Sequence, residues 1–95
     1  MMKMNDKTKE ALMILQEECA EVTQAVSKIF RFGFDSRYPE EAPTTRSNLE
    51  MEIGDLLCMI DILVEQGVIN EVSMLKAMER KREKLETWSN IFNAD

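Results

Sequence analysis

The chemistry available to this sequence lies in five acids. Glu17, Glu18 and Glu21 form the run Glu17-Glu18-Cys19-Ala20-Glu21, and Glu52 and Asp55 interrupt the otherwise apolar stretch LEMEIGDLLCMIDIL. Glu18 and Glu21 are three residues apart, as are Glu52 and Asp55. On a helix that spacing puts each pair one turn apart on one face. A lone carboxylate on a core-facing arc is costly unless it is protonated, paired or bound to metal. Two helices that pack these faces together bring four carboxylates to one cavity. The chain has no histidine, and hard oxygen ligands without nitrogen or thiolate favour Mg²⁺ or Mn²⁺, with water and phosphate oxygens completing the shell. The alternative for the same acids is an internal salt-bridge network.

Three helical stretches must position these groups. The first is expected from about Asp6 to Phe30, opened by Asn5 or Asp6 and stopped by Gly33. The second is expected to open at Ser47-Asn48-Leu49-Glu50, where Ser47 and Glu50 form a capping box, and to end near Gly67. The third runs from Asn70 or Ser73 to about Phe92. The intervening RFGFDSRYPEEAPTTR contains Gly33, Pro39 and Pro43, which exclude regular structure, and its length is typical of a functional loop.

At about 100° per residue, Leu12, Ile14, Leu15, Cys19, Val22, Ala25, Val26 and Ile29 share a broad arc of the first helix. Glu18 falls near the middle of that arc, Glu21 at its edge, and Glu17 further out toward water. On the second helix Glu50, Asp61 and Glu65 share a narrow polar strip. Glu52 and Asp55 lie outside it, among Met51, Leu56, Met59, Ile62 and Leu63. The third helix carries a stripe of Met74, Ala77, Met78, Leu85, Trp88 and Phe92, with Lys81 inside it and Lys84 at its border.

Composition narrows the function. Ninety-five residues suit one domain, 1–95, whose core is modest without a partner. No stretch reads as a leader or membrane span, so a soluble, cytoplasmic protein is expected. Cys19 and Cys58 sit in apolar patterns and read as reduced core residues. A formal charge of -6 repels long nucleic acid but permits a small phosphorylated ligand carried with metal cations.

Glu17-Glu18-Cys19-Ala20-Glu21 followed by Glu52-Ile53-Gly54-Asp55 resembles the EExxE and ExxD pair of the MazG-like, all-α nucleoside triphosphate pyrophosphohydrolases. The resemblance extends through the Lys81 region, over most of the chain. It implies an all-α fold of antiparallel helices that forms a four-helix-bundle core on homo-oligomerisation, as a homodimer or a dimer of dimers. It also implies Mg²⁺-dependent cleavage between the α and β phosphates of a nucleotide, giving a monophosphate and pyrophosphate. Carried over, Glu18, Glu21, Glu52 and Asp55 become metal ligands, and Glu17 matches the first acid of the motif, with a water-orienting role. Glu17 and Glu18 are the catalytic candidates. The chain has one such module, unlike two-domain MazG proteins.

Lys81 and Lys84 are the expected phosphate contacts, as point charges, with Arg31 beside them and Arg37 and Arg46 as further candidates. Phe32, Phe34, Tyr38 or Trp88 offer a stacking surface for a base. The competing function is a non-catalytic helical module that docks a protein or binds nucleotide without hydrolysis.

Overall fold

The computed structural model describes residues 4–94, which form three α-helices and no sheet. Helix α1 spans Asp6–Phe32, α2 Thr45–Glu65 and α3 Glu71–Trp88. The Asn5 side chain caps α1 by accepting from the Thr8 N–H at 2.8 Å. Gly33 stops it at φ 85°, a backbone region open to glycine and little else, while its N–H donates to the Ile29 carbonyl.

Helix α2 starts one turn earlier than the sequence suggests. Its cap is Thr44, whose hydroxyl accepts from the Ser47 N–H at 3.1 Å, so Ser47 lies inside the helix and the Ser47–Glu50 capping box does not form the entry. The connection makes the earlier start possible. The Thr45 N–H donates to the Ser36 carbonyl and the Arg46 N–H to the Phe34 carbonyl, so amides that would be orphaned at a helix start are satisfied from outside. The Thr45 hydroxyl donates to the Gly33 carbonyl, and the Arg46 guanidinium lies 4.6 Å from the centre of the Phe34 ring and 3.6 Å from the Asp35 carboxylate. At the other end, the Gly67 N–H bonds to the Val64 carbonyl and the Val68 N–H to the Leu63 carbonyl, a Schellman closure with Gly67 at φ 73°. Helix α3 is capped by Asn70 and ends at Trp88, short of Phe92, because Ser89 adopts extended backbone.

The first two helices lie antiparallel along a common seam. Near one end Lys7, Ala11 and Ile14 meet Met59, Ile62 and Gln66, and near the other Lys28 and Phe32 approach Thr45 and Asn48. Ala11 and Ala25 let the backbones come close, and Leu63 is fully buried. These three are the buried hydrophobic residues among those described. Helix α3 packs extensively on neither partner. The radius of gyration is accordingly 16.9 Å, against about 12 Å for a compact chain of this length.

The cysteines are free, as expected, but both are exposed rather than in the core. A pair of helices covers only one strip of each, and Cys19 and Cys58 lie off the seam. The stripe of α3 is likewise open: Met78 is 66% and Trp88 84% exposed.

Candidate metal centre

The acids meet midway along the α1–α2 seam. One carboxylate oxygen from each of Glu18, Glu52 and Asp55 lies within 4.8 Å of the other two, with Glu18 and Glu52 half-buried and Asp55 exposed. Each position follows from local structure. Glu18 stands seven residues after Ala11 and seven before Ala25, the two small residues that bury against α2, and so shares their face. Glu52 and Asp55 sit one turn apart on α2, on the side opposite the exposed Glu50, Asp61 and Glu65.

Charge is uncompensated here. Burial pushes the Glu18 carboxyl above its ordinary range, and the negative charges of Asp55, Glu52, Glu21 and Glu17, in that order, push it further. Its Oε2 atom is buried without a hydrogen-bond partner. Among the described residues the one ion pair is Arg46 with Asp35, at the far end of the seam. The salt-bridge alternative therefore finds no cation paired with these acids among the described residues. A cluster of two half-buried carboxylates and one exposed, with an orphaned oxygen and no ion-pair partner, is suited to a divalent cation with hard-ligand preference. Residues 7–90 match the MazG nucleotide pyrophosphohydrolase domain. The chain belongs to that family. No curated protein and no solved structure matches it.

The remaining candidates of this MazG domain are spread more widely. Glu21 is exposed and outside the three-oxygen cluster, although its charge reaches Glu18. Glu17 is exposed as well. Lys81 lines a shallow groove made by α3 and the turn after it, with Met78, Leu85 and Phe92 and none of the clustered acids. Lys84 is exposed on the same helix. Arg31 lies over its neighbour Phe32, 5.0 Å from the ring centre. One chain thus assembles the acids and leaves Lys81, Lys84 and Arg31 apart from them.

Two residues without a role in the sequence reading, Lys28 and Asn48, join Arg37 and Tyr38 around a cavity at the α1–α2 junction. A signal for Asn48 was present: it precedes Glu52 by four residues and shares its helix face.

Proposed function

We propose that the protein is a Mg²⁺-dependent nucleoside triphosphate pyrophosphohydrolase that cleaves between the α and β phosphates. The observation that carries this reading is the convergence of Glu18, Glu52 and Asp55 within 4.8 Å in a MazG domain, with an unpartnered Glu18 oxygen. Glu18, Glu52 and Asp55, with Glu21 as the fourth, are the residues that would hold Mg²⁺, or Mn²⁺ in its place. Bound there, the cation supplies positive charge for the phosphate oxygens and the leaving pyrophosphate.

The chain's own groups do the rest. Glu17, exposed one residue before the cluster, orients the attacking water, and Glu18 is the carboxylate of the cluster that receives that water's proton. Lys81 and Lys84 neutralise the phosphate tail as point charges, with Arg31 at the margin. Because α3 does not close over the acids of its own chain, these lysines serve the site in a homodimer or dimer of dimers, whose four-helix core covers the open faces of α2 and α3. The fuller description of the protein is then a cytoplasmic hydrolase of small nucleotides that acts on neither long nucleic acid nor membrane. No helix among the described residues is long and apolar enough to cross a membrane.

The test is a panel of standard and modified nucleoside triphosphates assayed with Mg²⁺, with both products identified. A monophosphate and pyrophosphate in equal amounts are expected. A diphosphate with orthophosphate, or no turnover of any member, contradicts the proposal.

A further inference from the structure

The junction of α1 with α2 encloses a cavity of about 590 Å³ that the acid cluster does not use. Lys28 and Phe32 from the last turns of α1, Arg37 and Tyr38 from the connection, and Thr45 and Asn48 from the first turn of α2 are among its walls. Among the described residues no acid lines it, in a chain with 18 Asp and Glu against 12 Lys and Arg. The cavity is thus a local reversal of the molecule's charge, and two aromatic faces accompany the two cations. Phe32 is 56% and Tyr38 94% exposed, open to a planar ligand.

The cavity lies further along the same helix faces as the acid cluster. Asn48, Glu52 and Asp55 occupy i, i+4 and i+7 on α2, so Asn48 stands one turn, about 6 Å, beyond Glu52 on the same face. On α1, Glu21, Ala25 and Lys28 follow one row, and Lys28 lies about 10 Å beyond Glu21. A sugar and a base bridge a gap of that size from a phosphate held at the cluster. The wall is also set in advance. Two backbone bonds tie the connection to the first turn of α2, and Arg46 holds Phe34 and Asp35 behind it. A backbone tied in this way costs less entropy to fix on binding than a free loop.

Resting on the hydrolase reading above, we infer that this cavity takes the base of the substrate nucleotide and selects bases that carry a carbonyl oxygen, not an amino group, at C4 of a pyrimidine or C6 of a purine. Lysine and arginine donate hydrogen bonds and accept none. Uracil, thymine and guanine turn carbonyl oxygens toward such donors, and guanine offers arginine the O6 and N7 pair. Cytosine and adenine present an amino group at the corresponding edge. That group meets two donors, and finds as acceptors only the neutral oxygens of groups such as Thr45, Tyr38 and Asn48. Charge-assisted bonds are roughly twice as strong as neutral ones, so Lys28 and Arg37 decide the preference.

Binding of dUMP, dCMP, dGMP and dAMP, measured by calorimetry with Mg²⁺ present, tests the inference with ring size matched within each pair. The expected result is dUMP over dCMP and dGMP over dAMP by about tenfold, falling to about threefold or less in Arg37→Met and Lys28→Met. Mg²⁺ affinity and melting temperature of both exposed-site variants should match the parent. Equal affinities in the parent, or no binding of any of the four at millimolar concentration, overturn the inference. So does an equal loss for all four in the variants, which would place the cations on phosphate. Pyrophosphate release measured alongside separates the two readings. Base preference without turnover of any triphosphate would sink the hydrolase and leave the base site standing; turnover without base preference would do the reverse.

Discussion

Glu18 concentrates the energetics of the site: it is half-buried, its Oε2 has no partner, and four neighbouring acids repel its charge. Since its native pKa is raised above the ordinary 4.5, the folded protein keeps a proton that the unfolded chain has released. The contribution of Glu18 to the stability of the metal-free protein is therefore fully present below that ordinary value and is lost as pH rises through its native pKa. Urea midpoints taken across this window should decline in the parent and flatten in Glu18→Gln; the same decline in both would assign it to other groups. Mg²⁺ should oppose the decline, because the cation binds the ionised form and releases the proton. Glu52→Gln and Asp55→Asn test the partners. Each should abolish pyrophosphate release while retaining the helical fold, with a metal-free melting temperature equal to or above the parent's, since a repulsion has been removed. Full activity with normal Mg²⁺ dependence in both variants would reject the site.

At the scale of elements, the seam between α1 and α2 is what holds the acids in register. Leu63 is 0% exposed, and Leu63→Ala should cost about 2 to 5 kcal/mol in chemical denaturation. A cost under about 1 kcal/mol would mean that the seam contributes little to folding. The acids at three-residue spacing and the all-α class were legible because helical period and capping are local properties. The start of α2 was not. Ser47 and Glu50 match a capping box, but carbonyls of Phe34 and Ser36 satisfy the amides of Arg46 and Thr45 and extend the helix back to Thr44. Those bonds join residues nine to twelve apart across an irregular loop, which no periodicity encodes. The exposure of Cys19 and Cys58 was also illegible, since an apolar arc records what a helix can bury, while the number of neighbours decides what it does bury. Lys81 belongs to α3 and tests that element's role. Lys81→Met keeps most of the stem's apolar contact and discards the charge. It should keep helicity and assembly but lower kcat/KM by about tenfold to a hundredfold, the effect of losing a charge-assisted bond to phosphate. Unchanged kinetics would leave Lys81 as a solvated side chain.

The whole molecule is incompletely packed as a single chain. Only three buried apolar residues among those described, an α3 that stands away from the α1–α2 pair, and exposed Leu57, Leu75, Met78 and Ile91 together leave apolar surface without a cover. A symmetric partner is the economical cover, and an interface of about 1,200 to 2,000 Å² is ordinary for a stable dimer. Light scattering at micromolar concentration should give a dimer or tetramer mass; a fully active monomer would refute the assembly. The MazG assignment fixes the family, and the three-carboxylate cluster is the feature on which the proposed chemistry rests. Whether the cluster holds a divalent cation is measured most directly with Mn²⁺, whose free form has a strong paramagnetic resonance signal that is lost on binding. Titration of the parent should deplete the free signal at a saturable site, Mg²⁺ should restore it by competition, and Glu52→Gln should lose that site. A signal undiminished by the parent protein, or depleted equally by Glu52→Gln, would contradict a metal centre at Glu18, Glu52 and Asp55.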